Sequence, residues 1–289
     1  MSKKRVAVVT GATRGAGKGI AQGLASEGVT VYITGRSASE PTATLRGETL
    51  VGSLEQTAAE IEAAGGSAVA VTCDHSDDRQ TRALFERVAD EQGQLDILVN
   101  NAAFIHENLI DPEPFWEKPL ALVDILDVGL RSAYVASYYA APIMAAQKSG
   151  LITFTSSFGS ACYMHGPAYG AQKTGLDKFA ADMAVDFENV NVATISLWLG
   201  PQLTERTEIV LRHRGEQYDD FMAMAETPQF NGRVIAALAA DAKLMEKSGQ
   251  TLVTAELAQE YGITDNGRQP PSYREQLGEP RIPHPARVY

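Results

Sequence analysis

The chain has 289 residues, a formal net charge of −11 and 44% hydrophobic residues. This composition is typical of a globular protein with a large core, and the acidic charge argues against nucleic acid as a partner, because binding a polyanion needs a basic surface. No apolar run is long enough for a membrane span or an export signal, and two cysteines are too few for a disulfide framework. We therefore expect one domain, reduced thiols and a cytoplasmic location.

Short β-branched runs alternate with helical stretches along most of the chain. This alternation predicts an α/β fold, a Rossmann-type doubly wound sheet of seven mostly parallel strands with helices on both faces. Several runs are almost wholly apolar, as expected for parallel strands that are covered on both sides. The candidate strands are 5–10, 29–34, 67–73, 95–100, 151–156, 190–198 and 249–254. The candidate helices are 17–27, 54–64, 78–92, 120–147, 168–188 and 231–241.

Three stretches interrupt this alternation within what we expect to be a single NAD(P)-binding domain, 1–289. Residues 37–52 are rich in Ser, Thr, Pro and Gly and are predicted to be a surface insertion. Residues 202–229 are predicted to be a long irregular segment that forms a substrate lid, because ligands bind beyond the carboxyl ends of strands in such sheets. The C-terminal tail, 265–289, is predicted to be irregular.

A glycine-rich segment, Thr10 to Gly17, joins the first candidate strand to the first candidate helix. Gly11, Gly15 and Gly17 would let the backbone approach a pyrophosphate, whose negative charge is favoured at a helix N-terminus. The spacing is GxxxGxG and differs from the GxGxxG dinucleotide fingerprint. The alternative is that these glycines only form a tight turn, but their place between a strand and a helix favours phosphate binding.

Two arginines near this turn indicate which dinucleotide would bind. Arg36 follows the second candidate strand, where an acidic residue would bind the ribose 2′-hydroxyl of NAD, and Arg14 lies inside the glycine turn. A guanidinium suits a 2′-phosphate, so NADP (NADPH) is favoured over NAD. The alternative for either arginine is a solvated surface charge.

Tyr169 and Lys173 are spaced to lie on one face of a helix after the fifth candidate strand. A nearby cation lowers the pKa of a phenol, ordinarily about 10, and so makes it a better proton donor and acceptor near neutral pH. Ser156 ends that strand and could hydrogen-bond a substrate oxygen. A YxxxK pair alone is weak evidence, and the neighbouring phosphate-binding turn gives it weight.

Taken together, these features resemble the short-chain dehydrogenase/reductase family. The resemblance covers roughly residues 5–260 and rests on the glycine turn, the segment Asn100-Asn101-Ala102-Ala103, a serine and YxxxK. It implies an NADP(H)-dependent oxidoreductase that interconverts a carbonyl and an alcohol by hydride transfer. Tyr169 would be the general acid/base, Ser156 would hold the substrate oxygen, and Lys173 would also bond the nicotinamide ribose.

The resemblance also implies further cofactor contacts. Asn100, near Ala102, would face the adenosine ribose; Asp74 would meet the adenine edge; and Thr204, after Gly200, would bond the carboxamide or a phosphate. The alternatives are that Asp74 only caps a turn and that Thr204 only caps the next helix. The family further implies a homodimer or homotetramer packed through the helices at 120–147 and 168–188.

Two positions depart from the family pattern. Gly129 stands where the family has an asparagine that binds a water leading protons to the lysine, although glycine keeps the backbone carbonyl that takes part. Leu199 stands where proline is usual. The alternative function is therefore a catalytically impaired NADP-binding sensor or scaffold. For the enzyme, Phe104 and Ile105 indicate an apolar substrate pocket, and no His or Cys spacing indicates a metal site.

Overall fold

A seven-stranded sheet forms the centre of the computed structural model, which describes residues 4–41 and 43–288 and the side chains of these residues except 214–221. The strands are β1 (Val6–Val9), β2 (Thr30–Gly35), β3 (Thr44–Leu45), β4 (Glu48–Thr49), β5 (Ser67–Thr72), β6 (Ile97–Asn100), β7 (Gly150–Ser156), β8 (Val192–Trp198) and β9 (Thr251–Val253). The helices are α1 (Gly15–Ser26), α2 (Leu54–Ala63), α3 (Asp78–Gln92), α4 (Ser132–Gln147), α5 (Pro167–Asp186), α6 (Glu205–Met222), α7 (Pro228–Ala240), α8 (Thr254–Tyr261) and α9 (Arg274–Leu277).

The sheet order is β5-β2-β1-β6-β7-β8-β9, and every pair of neighbouring strands is parallel. From β1 the chain builds outward through β2 and β5, then crosses back to β6 and builds the other half. The strand order therefore reverses between β1 and β6, and a crevice opens there beyond the carboxyl ends of the strands. The predicted Rossmann-type class is confirmed, and the sheet is wholly parallel.

Two apolar layers cover the sheet, one on each face. Val9 packs into the layer built with α1, α2, α7 and α8, whereas its neighbour Val8 packs into the layer built with α3, α4 and α5. Successive side chains of a strand point to opposite faces, which is why the strands are apolar throughout. Each fully buried aliphatic side chain contributes about 1.5–3 kcal/mol of burial free energy.

The predicted helix at 120–147 is wrong in its first part. Residues Leu120–Ile125 form a 3-10 helix and Leu126–Arg131 a π-type turn, and only Ser132–Gln147 is α-helical. Gly129 has φ of +150°, a backbone conformation that side-chain-bearing residues rarely adopt. The glycine that departs from the family pattern is thus where the helical path breaks.

The segment predicted to be irregular at 202–229 instead contains α6, and the predicted surface insertion contains the hairpin β3–β4. The two pack together: Leu45 and Leu50 of the insertion are buried against Ile209 of α6. Burial of these three side chains explains why a segment with a loop-like composition is ordered. In the tail, α9 is the one helical turn among the described residues, and the rest lacks regular structure.

None of the helices in the described ranges is both long and apolar enough to cross a membrane. Within those same ranges, no group of His, Cys, Asp and Glu side chains is arranged to hold a metal ion.

Candidate active site

A cavity of about 690 Å³ opens at the crevice between the two halves of the sheet. Among the residues predicted from the sequence for the site, only Asn100 does not line it. The lining includes Gly11, Arg14, Gly15, Gly17, Arg36, Asp74, Ala102, Ser156, Tyr169, Lys173, Gly200 and Thr204. Residues separated by most of the chain length therefore meet around one space of a size typical for a ligand.

The glycine turn is held close against the segment that follows β6. A Cβ on Gly11 would lie 2.8 Å from the Cα of Ala102, and a Cβ on Gly17 would lie 2.3 Å from the carbonyl oxygen of Gly11. The hydroxyl of Thr10 accepts hydrogen bonds from the backbone N–H groups of Asn101 and Ala102, at 2.9 and 3.0 Å. These contacts leave no room for side chains and direct the N-terminus of α1 toward the cavity, where it can bind an anion.

Arg14 and Arg36 lie at the adenosine end expected for the cofactor. Arg14 donates to the hydroxyl of Ser37 at 3.1 Å and to the carbonyl of Gly52 at 3.0 Å, while its buried Nε has no hydrogen-bond partner among the described residues. Burial lowers the pKa of Arg14, the charge of Glu205 opposes this shift, and the charge of Arg36 adds to it. Two guanidinium groups that repel each other, with a donor unused, suit a doubly charged phosphate.

Tyr169 and Lys173 lie on one face of α5, at the opposite end of the cavity. The Tyr169 hydroxyl is 3.0 Å from the hydroxyl of Ser157, and the ammonium of Lys173 is 5.2 Å from the centre of the Tyr169 ring. Lys173 is buried and donates from Nζ to the carbonyl of Thr155 at 2.9 Å. The phenol therefore has a second hydroxyl beside it and a cation near its ring.

The serine beside the phenol is Ser157, whereas the sequence analysis selected Ser156. Ser156 is the last residue of β7, and its buried hydroxyl donates to the backbone carbonyl of Lys173 at 3.2 Å. Side-chain direction alternates along a strand, so neighbouring serines at a strand end point to different surroundings. The repeated serine in Thr155-Ser156-Ser157 was the signal that two candidates existed.

The expected lowering of the Tyr169 pKa by Lys173 is not what this structure shows. Burial raises the pKa of Tyr169, and the hydrogen bond with Ser157 opposes that shift. Part of the Tyr169 ring still faces the cavity, so water moderates the effect of burial. Burial also lowers the pKa of Lys173 to about 8, while the charge of Asp177 opposes it. Both groups keep their protons at neutral pH.

Three other predicted cofactor residues have partners within the protein. Asn100 is buried and donates to the hydroxyl of Ser137 on α4 at 3.0 Å, while its Oδ1 has no hydrogen-bond partner among the described residues. Asp74 accepts from the backbone N–H of Ser76 at 3.0 Å, and Thr204 accepts from the backbone N–H of Thr207 at 3.2 Å. Both therefore cap local structure and also line the cavity.

Two charged residues of the first turn of α6 also reach the cavity, and sequence reasoning missed them. Glu205 accepts a hydrogen bond from the backbone N–H of Gly15 at 2.9 Å, and Arg206 donates to the carbonyl of Ile105 at 3.2 Å. The only feature of the sequence that could have pointed to these two residues is their position directly after Thr204. The carboxylate of Glu205 is thus hydrogen-bonded to the Gly15 N–H group, where a phosphate of the cofactor is expected to bind.

The cavity lining includes the apolar side chains of Phe104, Ile105 and Val128. Trp198 is fully buried behind the site, and the side chain of Trp116 is 71% exposed. Part of the cavity wall is therefore apolar.

Comparisons with known proteins agree with this geometry. Residues 5–214 match the family model described as short chain dehydrogenase. The human protein named dehydrogenase/reductase SDR family member 1 is 38% identical over 277 residues, which is 92% of this chain and 84% of that protein.

Two solved structures share the fold. One, described as a short-chain alcohol dehydrogenase from Sinorhizobium meliloti, has a TM-score of 0.71 at 27% identity and covers 86% of this chain and 94% of its own. The other is a metagenomic short-chain oxidoreductase in complex with NADP, with a TM-score of 0.66 at 28% identity, covering 86% of this chain and 95% of its own. With a crevice of this kind and relatives that align over most of its length, the chain belongs to the short-chain dehydrogenase/reductase family of oxidoreductases.

Proposed function

We propose that this protein is an NADP(H)-dependent enzyme that interconverts a carbonyl and an alcohol, with Tyr169 as the general acid in reduction and the general base in oxidation. The observation that supports it most directly is the 3.0 Å contact between the hydroxyls of Tyr169 and Ser157. Two hydroxyls that meet at one wall of a cavity can both hydrogen-bond a carbonyl oxygen placed between them.

The residues at the other end of the cavity fit NADP. The N-terminus of α1 behind Gly11, Gly15 and Gly17 would hold the pyrophosphate, and Arg14 and Arg36 would hold the 2′-phosphate. When bound, the reduced nicotinamide supplies the hydride that carbonyl reduction needs. The NADP complex of a similar short-chain oxidoreductase supports this choice over NAD.

The protein's own residues would manage the proton. Burial keeps Tyr169 protonated at neutral pH, which is the form that donates to a carbonyl oxygen. As the proton leaves, the phenolate is stabilised by the charge of Lys173 and by a hydrogen bond from Ser157. The apolar wall formed by Phe104 and Ile105 favours a small to medium apolar ketone or aldehyde.

The test is the loss of reduced-nicotinamide absorbance when NADPH is mixed with the protein and a panel of apolar ketones and aldehydes. We expect turnover by the wild-type protein and a loss of about 10²–10⁴-fold in Tyr169→Phe, the range for removal of a general acid. Unchanged turnover in this variant would remove Tyr169 from the mechanism. Tight NADPH binding with no turnover would favour the sensor or scaffold alternative, for which Gly129 is the motivating observation.

We also propose that the protein forms a homodimer or homotetramer through α4 and α5. Two tyrosines on α4, Tyr134 and Tyr138, are 50% and 63% exposed in the single chain. Aromatic side chains of this kind are enriched in protein interfaces. Light scattering after size-exclusion chromatography would measure the mass, and a monomer at micromolar concentration would contradict the proposal.

A further inference from the structure

Asp177 is a third ionisable residue on the helix that carries Tyr169 and Lys173. It comes four residues after Lys173, so the two side chains lie on neighbouring positions of one face of α5. It is partly buried behind the site and does not line the cavity. A carboxylate in such a place needs donors that compensate for its lost hydration.

Those donors come from the two strands beneath α5. The hydroxyl of Ser196 and the indole N–H of Trp198, both on β8, donate to Asp177 at 2.6 and 3.0 Å. Burial raises the pKa of Asp177, and the nearby hydroxyls of Ser160 and Ser156, after and at the end of β7, oppose that shift. The carboxylate therefore joins the catalytic helix to β8 and lies near hydroxyls at and after the end of β7.

Asp177 is also the acidic group that acts on Lys173. Burial lowers the pKa of Lys173 to about 8, and the negative charge of Asp177 opposes that shift. The other titratable groups around this cation are Tyr169, at 5.2 Å from its ring centre, His165 on the preceding loop, and Cys162, which faces Tyr169. Burial lowers the pKa of His165 to about 4, so His165 is neutral at neutral pH.

We propose that Asp177 is a positioning residue that keeps the ammonium of Lys173 charged and fixes α5 against β7 and β8. This inference rests on the proposed function, because Lys173 matters only if Tyr169 exchanges a proton. Gly129 contributes no side chain to this region, and its carbonyl accepts from the amide of Gln172 at 3.1 Å. Among the described side chains, Asp177 is then the one whose negative charge favours the charged form of Lys173.

The decisive variant is Asp177→Asn, which keeps the size of the side chain and an acceptor oxygen but removes the charge. Loss of a nearby negative charge lowers the pKa of a cation, typically by about one unit or more. We therefore expect the alkaline limb of the turnover–pH profile to move about one unit lower, with about a tenfold loss near pH 8–9 and less than about threefold near pH 6. An equal loss at every pH, or an unchanged profile, would overturn the proposal.

Two further variants make the test specific. Asp182→Asn removes a carboxylate on the exposed side of the same helix, where it pairs with Lys178, and we expect the wild-type profile. Ser196→Ala weakens the support of the Asp177 charge without removing it, so a smaller shift in the same direction is expected. This variant decides the matter if Asp177→Asn folds poorly, and a shift in the opposite direction would contradict the proposal.

A direct titration separates this inference from the proposed function. The pKa of Lys173 can be followed by NMR in the isolated protein, with the resonance assigned by Lys173→Arg. We expect a lower value in Asp177→Asn than in the wild-type protein, and equal values would overturn the inference. If no carbonyl is turned over, the proposed function fails, but this titration still decides the role of Asp177.

Discussion

The hydroxyl of Ser157 lies 3.0 Å from the hydroxyl of Tyr169, whereas the hydroxyl of Ser156 is directed to the backbone of α5. Two adjacent serines therefore have different roles under the proposed mechanism. Under that mechanism Ser157, the serine beside the phenol, would share the substrate oxygen with Tyr169.

We expect Ser157→Ala to lower kcat/KM by about 10²-fold, the loss typical when one donor to a developing oxyanion is removed. Ser156→Ala should cost less than about tenfold, because it removes a hydrogen bond behind the site and leaves the phenol untouched. Steady-state kinetics of the two variants with one apolar ketone measures both effects. If Ser156→Ala proves the more damaging, Ser156 holds the substrate oxygen after all.

Arg36 is exposed at the adenosine end of the cavity and forms no ion pair among the described residues. We expect Arg36→Ala to weaken NADPH binding by about 10- to 100-fold, since a charge-assisted hydrogen bond is worth about 1.5–3 kcal/mol, and to leave NADH binding nearly unchanged. Nucleotide fluorescence titration gives both dissociation constants. Arg82→Ala, which removes an exposed arginine paired with Glu86 on α3, is the matched control. Equal weakening for both nucleotides would show that Arg36 does not read the 2′-phosphate.

Glu205 accepts a hydrogen bond from the N–H of Gly15, where a phosphate is expected to bind. The carboxylate competes for this donor and repels the incoming phosphate, so Glu205→Ala should tighten NADPH binding by about three- to tenfold. The same fluorescence titration at low and high salt measures the effect, which should shrink as salt screens the charges. Weaker binding in the variant would mean that Glu205 supports the turn instead of competing with the cofactor.

Glu226 is fully buried, and its carboxylate accepts from the N–H of Gly200 at 3.3 Å and from the amide of Gln202 at 2.7 Å. Burial raises the pKa of this carboxyl from its ordinary value of 4.5 to about 7. The native state then holds a proton that the unfolded state has released, so this group costs stability increasingly as pH rises from about 4.5 to about 7.

We expect Glu226→Gln to remove this cost, up to about 3 kcal/mol above pH 7, less the contribution of the acceptor that it loses. The unfolding free energy of the variant, relative to that of the wild type, should increase as pH rises from about 4.5 to about 7. Above pH 7 the difference should stay constant. Urea denaturation at several pH values measures it. A difference that does not vary with pH would show that Glu226 has an ordinary pKa.

Gly129 has φ of +150°, and a Cβ there would lie 3.3 Å from the amide nitrogen of Gln172. Gly129→Asn, which restores the residue usual in the family, should therefore destabilise the protein by about 1–3 kcal/mol, the cost of a strained backbone conformation. It should not raise turnover. Thermal unfolding together with the carbonyl assay tests both expectations. A stable variant with faster turnover would contradict them and would show that Gly129 lowers activity without being needed for the backbone conformation.

Much of the fold follows from local patterns in the chain. The apolar runs around Val8 and Ile152 predict strands buried on both faces, and the glycine turn between β1 and α1 predicts a phosphate site, because both depend on residues that are neighbours in sequence. The pair Tyr169 and Lys173 was likewise visible as a helical spacing. The helix α6 was missed because its sequence mixes charges and shows no clear apolar face. Its Ile209 is buried only because residues of the insertion pack against it.

The sequence by itself therefore determined the family, the sheet and the residues at the cavity, since spacing along a strand or helix decides which side chains share a face. The tertiary structure decided where the side chains point: it places the hydroxyl of Ser157, and not that of Ser156, beside the phenol, and it buries Asn100 against Ser137 of α4. It also brought Glu205 to Gly15 and showed that burial, more than Lys173, sets the pKa of Tyr169. These contacts and this pKa shift depend on side-chain direction and on the dielectric surroundings, which are set only when distant segments pack together.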